Sequence, residues 1–287
     1  MKLSYFYRLI VQNIIKYSSR SWGGVWKTSK KPIICLVFML ICIACSNKNI
    51  NKGTDVSELS ESEYLKYAHN LVDAGQKKAG AEILEEFEVY HPYSKHIPDV
   101  LAEAILLYFD SGIYDKAITA SSRGIEMYPA DDRVPFFYII LAMSYYNQLE
   151  SPSRDQSYSD QALFAFQDIL RKFPDSEYAR IASVHIDSIN DIKSEAELIR
   201  GVHYAETKKY IAALQRFAYV MHHYPQTHSV PEAMYRIIEV YLTLGIIPDA
   251  VRMIKLMAYN YHGSEWYTKA YELMHRFNVD IDAYTNG

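Results

Sequence analysis

The feature that most constrains the fold is a recurrent break in helix-forming sequence. Aromatic residues run into proline at Tyr90-His91-Pro92, Tyr128-Pro129, Phe173-Pro174 and Tyr224-Pro225, and Tyr261-His262-Gly263 holds the equivalent place near the end. Proline lacks an N–H and its ring clashes with the preceding turn, so each site closes a helix. Ahead of each terminator a large residue precedes a small one by nine positions, as in Leu71/Gly80, Tyr108/Ala117, Tyr204/Ala213 and Tyr241/Ala250, and the terminator follows twelve residues later. A small side chain facing a large one lets two antiparallel helices approach closely, and this spacing is the tetratricopeptide pattern.

The expected fold is therefore all-α, an α-solenoid of five tetratricopeptide-like helix pairs. Repeat four matches best, with Gly201, Tyr204, Ala213, Phe217 and Pro225 in register. Apolar residues recur at three- and four-residue spacing almost everywhere, which leaves no convincing strand. The first helix of each pair should line a concave face of the kind solenoids use to hold extended or helical peptide.

The period is uneven: successive terminators stand 37, 45, 51 and 37 residues apart. In repeat three Tyr145 and Ala162 are seventeen apart instead of nine, so the turn between its helices carries an insertion, Ser151-Pro152-Ser153-Arg154-Asp155-Gln156. Between repeats three and four an extra stretch from about Ser176 to Lys193 has apolar spacing at Tyr178, Ile181, Ala182, His185, Ile186 and Ile189. The expected layout is N-terminal repeats 1–3 over 61–175, an extended linking helix over 176–193, C-terminal repeats 4–5 over 194–275 and a tail over 276–287.

Residues 1–44 have a different character. Lys2, Arg8, Lys16, Arg20, Lys27, Lys30 and Lys31 occur there with no Asp or Glu, followed by Pro32 and an apolar run of twelve residues from Ile33 to Ala44. A bilayer span needs about 17–25 residues. A lipoprotein signal peptide over 1–44 fits better. The run ends Cys42-Ile43-Ala44-Cys45-Ser46, which resembles a lipobox, with Cys42 where Leu is usual. Only a thiol forms the thioether to diacylglycerol, and the freed α-amine can then take an N-acyl chain; several chains anchor where one is marginal. Cys45 is thus the expected lipidation site, joined to the repeats by a flexible tether over 45–60. The alternative is an uncleaved signal anchor whose cysteines only fill apolar space.

Starting at Cys45, 23 Lys+Arg face 34 Asp+Glu, a net charge of −11 that argues against a nucleic-acid partner. Cys35 and Cys42 lie inside the apolar run, so the repeats must be held by their core and not by disulfides. His222, His223 and His228 cluster near Pro225, with His262 one repeat later, but no His-Glu-x-x-His spacing accompanies them. Solvated junction histidines are preferred over a metal site. No Gly-rich phosphate loop or nucleophile elbow occurs, so neither catalysis nor a cofactor beyond the covalent lipid is expected. Tyr93, Tyr158 and Tyr267 are placed in loops after helix ends, where they suit protein recognition or simply pack the turns.

The lipobox, the five repeats, the Arg154-Asp155-Gln156 turn, Phe173-Pro174-Asp175-Ser176-Glu177-Tyr178-Ala179, Ala212-Ala213-Leu214-Gln215-Arg216 and Asn260-Tyr261-His262-Gly263-Ser264-Glu265-Trp266 together resemble the BamD (ComL) family. The resemblance runs from the lipobox to Trp266, with His262-Gly263 in place of the family's usual proline. It implies a non-enzymatic lipoprotein on the periplasmic face of the outer membrane, held there by the lipid on its cysteine. Its C-terminal repeats would bind a BamA-type β-barrel insertase, its N-terminal repeats unfolded outer-membrane proteins, and other assembly lipoproteins would join. On that basis Arg216 is a candidate insertase contact, a solvated helix charge being the alternative. Tyr90, Pro92, Tyr93 and Ser94 are candidates to grip the C-terminal strand of clients. Arg154 and Asp155 are candidate partner contacts or, preferably, pins of the long turn against the neighbouring helix. The competing reading is another repeat lipoprotein, such as a secretin pilotin or a cell-division scaffold.

Overall fold

The computed structural model describes residues 56–281. The expected signal peptide, Cys45 and the tether up to residue 55 lie outside the described residues, as does the tail from 282. The chain forms two compact units, 1–64 and 65–287. The described part of the first is a 3-10 turn, Val56–Glu58, and the start of helix α1 (Glu61–Asp73). There the N–H of Ser60 donates to Glu63 Oε2 at 3.1 Å and its hydroxyl donates to the same oxygen at 2.5 Å, one side of a capping box.

The second unit continues through α2 (Lys77–Glu85), a single further turn α3 (Phe87–Tyr90), α4 (Ile97–Asp110), α5 (Tyr114–Met127), α6 (Val134–Tyr146) and α7 (Ser157–Lys172). It is completed by α8 (Glu177–Glu206), α9 (Tyr210–His223), α10 (Val230–Thr243), α11 (Ile247–Tyr261) and α12 (Glu265–Arg276). Among the described residues every element is helical, and none is long and apolar enough to cross a membrane. Consecutive helices pack as pairs, and first helices also pack on the next first helix: α4 on α6, α6 on α8, α8 on α10, and α10 on α12. That is the contact order of an α-solenoid, as expected.

Both sequence signals acquire a geometric cause. In repeats one, two, four and five the turn between paired helices is three residues long, and its middle residue is left-handed: Gly75, Gly112, Lys208 and Gly245, with φ of 80°, 72°, 60° and 72°. The residue after it donates its N–H back to the large residue of the pattern, as Ile113 does to Tyr108 O and Ile246 to Tyr241 O, both at 2.9 Å. This is a Schellman motif, and it places the small residue of the next helix at a fixed distance along the chain. The small residues, among them Ala117, Ala162, Ala213 and Ala250, are fully buried, beside equally buried Tyr108, Phe166 and Phe217.

The terminators act through the residue before proline. His91, Tyr128, Phe173 and Tyr224 all leave the helix at φ between −134° and −125° and ψ between 50° and 58°. A following proline excludes the helical well for such a residue. At the fifth site, where His262 stands for proline, Tyr261 stays in the helix and His262 itself keeps helical angles, φ −52° and ψ −35°. The substitution thus lengthens α11 by a residue and leaves the repeat intact.

Two expectations need correcting. The linking segment over 176–193 is not a separate element: α8 is one continuous helix of 30 residues, and its second half serves as the first helix of repeat four. Nothing between Glu177 and Arg200 breaks it, since that stretch holds neither proline nor glycine. Its start is fixed by Ser176, whose Oγ accepts from the Ala179 N–H at 3.2 Å. Tyr158 and Tyr267 are not loop residues; they lie in the first turns of α7 and α12.

Candidate functional site

First helices build an opening between α8, α10 and α12, a cleft of about 550 Å³. On α8 its wall is Glu195, Leu198, Ile199, Val202, His203 and Glu206, which at spacings of three and four form one helix stripe. The opposite wall is Ser229, Glu232 and Arg236 on α10, with His228 before it, and Trp266 closes one side. Leu198 is buried, Val202 and Trp266 are half-buried and Ile199 is 43% exposed, so the floor is apolar and in part open to solvent.

The walls differ in how their charges are used. Arg236 donates to Glu232 and Glu239 at 3.0 and 2.9 Å and lies near the rings of Tyr235 and Trp266, at 5.4 and 5.8 Å from their centroids. Burial alone would lower its pKa, but the hydrogen bonds to Glu239 and Glu232 outweigh it and raise the value further. Trp266 is held on its other side by Lys269, whose Nζ lies 4.0 Å from the ring centroid. Glu195 and Glu206, by contrast, form no ion pair among the described residues and are exposed at the two ends of the α8 stripe.

The residues singled out in the sequence are dispersed. Tyr90 ends α3 at 36% exposure, Pro92 is exposed in the following turn, and Tyr93 is fully exposed; with Val89, 74% exposed, they make an apolar knob. Ser94 is turned inward to accept from the His96 N–H at 3.1 Å. Next to this knob Tyr128 donates to Glu88 at 3.0 Å, and burial followed by that bond pushes its pKa up to about 12. Asp155 accepts from the N–H and hydroxyl of Ser157 at 3.2 and 2.9 Å, and so caps α7. Arg154 pairs with Glu150 at 3.2 Å inside the same turn. The expected pinning against a neighbouring helix is therefore not what these groups do: their bonds run within the turn and into the first turn of α7.

Arg216 sits on α9 and donates to Glu197 of α8 at 3.0 Å, while Arg200 binds the other oxygen of the same carboxylate. Its side chain is 42% exposed, and only Nη1 is committed to Glu197. The histidines do not converge. His223 stacks on Tyr219 at 3.8 Å, and His228 lies 3.0 Å from Asp191. Among the described residues no three metal-ligating side chains come together.

The cleft escaped sequence reasoning as a site, although Trp266 belonged to a noted motif and Gly201 to the best repeat. The signal available was the stripe from Glu195 to Glu206, hidden because the start of repeat four drew notice only for its packing residues Gly201 and Tyr204. A second feature also escaped notice. His185 is buried on α8, stacked on Phe166 with ring centroids 5.1 Å apart and edge-on to Tyr146 at 4.5 Å. Burial pushes its pKa down to about 4.

Comparison with known proteins gives this geometry a family. Residues 57–256 match the model of YfiO, an outer membrane lipoprotein family. A protein of Caulobacter vibrioides named outer membrane protein assembly factor BamD is 29% identical over 248 residues, 85% of this chain and 81% of its own length. A protein of the same name from Rickettsia prowazekii is 30% identical over 207 residues, 72% of this chain and 82% of its own. Among solved structures, a thermophilic TPR protein from Thermus thermophilus aligns over 75% of this chain and all of its own, at 18% identity and a TM-score of 0.31. That likeness is too slight to carry an argument, and the fold rests on the helix pairing above. With the match spanning most of the repeats, the chain belongs to the YfiO family of outer membrane lipoproteins, among relatives named BamD.

Proposed function

We propose that the chain is a non-enzymatic adaptor in outer-membrane protein assembly. It is anchored in the outer membrane through diacylglycerol and N-acyl lipid on Cys45 and faces the periplasm. The observation that supports this reading is continuous similarity to assembly factors across the repeats, on a scaffold whose first helices leave an open cleft. Its partners are a BamA-type β-barrel insertase, unfolded outer-membrane proteins and other assembly lipoproteins; nucleic acid is not among them.

Within this reading the exposed part of Arg216 is the candidate insertase contact, and the knob of Val89, Tyr90, Pro92 and Tyr93 is the candidate client contact. Large aromatic surfaces bury much area at little entropic cost, which suits an extended apolar strand. Affinity isolation of the full-length lipoprotein from solubilised membranes tests the reading. A β-barrel insertase should co-elute, Arg216→Glu should diminish its recovery, and photocrosslinkers at Tyr90 and Tyr93 should capture nascent barrel proteins. Isolation that recovers a secretin or division proteins and no insertase would overturn it. Palmitate labelling lost in Cys45→Ser checks the anchor.

A further inference from the structure

We propose that the cleft between α8, α10 and α12 holds an extended segment of a partner protein in which basic side chains flank an apolar one. This deepens the adaptor reading by assigning a ligand chemistry to a surface that family similarity leaves unassigned. Three properties of the cleft suit it to such a ligand.

The first is the floor. Ile199 is 43% exposed and lines the cleft beside half-buried Val202 and Trp266. An apolar side chain laid on these three removes them from water, at about 25 cal/mol per Å² of apolar surface. The second is charge. Glu195 and Glu206 form no ion pair among the described residues, and the basic group of the opposite wall, Arg236, is already shared between Glu232 and Glu239. The cleft is therefore acidic at both ends with no cation free to answer, and it complements a basic ligand.

The third is distance. Glu195 and Glu206 are eleven residues apart on one helix, about 16 Å at a rise of 1.5 Å per residue. An extended chain advances about 3.3 Å per residue and returns to the same face every second residue, so basic residues four apart stand about 13 Å apart on one face, and their long side chains reach both carboxylates. The side chains of intervening residues alternate, and those on one face would reach the apolar floor. Trp266, clamped by Lys269 at 4.0 Å and by Tyr235 at 5.3 Å, is set before any ligand arrives and needs little reordering on binding.

The test uses the full-length lipoprotein in detergent and two labelled pentapeptides, Lys-Ser-Tyr-Thr-Lys and its charge-swapped partner Glu-Ser-Tyr-Thr-Glu. Fluorescence anisotropy at low salt should show the basic peptide binding at least about tenfold more tightly, with the preference shrinking as salt rises. The double variant Glu195→Lys with Glu206→Lys should invert the preference, and Ile199→Ser should weaken both peptides by removing part of the apolar floor without touching a buried group. Equal binding of both peptides would reduce the cleft to a general apolar surface and overturn the proposal. So would a basic preference that survives the double variant, which would place the site elsewhere. Insertase co-isolation is measured in parallel: if it persists while the peptide preference is absent, the cleft assignment fails and the adaptor reading stands.

Discussion

The two halves of α8 are built for opposite ends. From Tyr178 to Ile189 the helix buries Tyr178, Ile181, Ala182, His185 and Ile189 and is tied to α7 by Lys193 and Asp160. From Glu195 to Glu206 the same helix packs on α9 through Gly201, yet turns Ile199 and two unpaired carboxylates outward. The difference teaches that continuity of secondary structure is no guide to continuity of role. The first half exposes Val184 singly, whereas the second gathers Ile199 and the two carboxylates on one wall of a cleft.

Substitutions should separate the halves, beginning with the closed one. Phe166→Ala removes the face on which His185 stacks and should cost about 3–5 kcal/mol in urea unfolding. Below the unfolding transition it should leave peptide binding in the cleft unchanged; a parallel loss would mean the halves are one cooperative site. Gly201→Ala tests the seat of the second half. A Cβ there would run into the Phe217 ring, so the ring must move, at about 1–3 kcal/mol by the same measurement.

Acidification should act on the first half through His185. The His185 pKa is lowered to about 4 by burial, from an ordinary value of 6.5, so the unfolded chain takes up the proton more readily than the native one. The stability from the neutral ring is fully present above pH 6.5 and is lost as pH falls towards 4, at up to about 1.4 kcal/mol per unit. Urea midpoints at pH 7 and 4.5 should converge in His185→Phe relative to the wild type. Equal acid sensitivity in both proteins would remove His185 from the account.

The turn that ends α8 offers a smaller effect of opposite sign. Lys208 has a φ of 60° where the other three-residue turns carry glycine, so Lys208→Gly should stabilise by about 0.5–1 kcal/mol. The smallest change belongs to the open half: charge reversal at exposed Glu195 and Glu206 should move stability by no more than about 0.5 kcal/mol while altering ligand preference. Circular-dichroism melts of both variants check the ordering.

Local rules explain what the sequence made legible. The aromatic-proline pairs and the nine-residue spacing sit on backbone devices, the pre-proline cap and the Schellman turn, which a few neighbouring residues determine. The insertion of repeat three was equally visible, and the structure widens it to residues 147–156 because α6 stops at Tyr146 and α7 starts at Ser157. The fused helix was missed because a repeat period suggests boundaries where no breaker exists. The cleft was missed because its walls come from three helices far apart in the chain, and nothing about Glu195, Arg236 or Trp266 taken singly marks them as neighbours. Asp155 and Arg154 were recognised as special, but the partners that make them so lie within a few residues.

The unbroken length of α8 has a mechanical consequence. Thirty residues at 1.5 Å each make a rod of about 45 Å, clamped at one end by the aromatic packing around His185. His185 stands 21 residues, about 31 Å, from Glu206, so a tilt of about 5° at that clamp would carry the Glu206 end through about 3 Å, comparable with one residue of an extended chain. The helix is thus a lever arm: a small repacking in repeat three is amplified into a change of register for anything lying along repeats four and five.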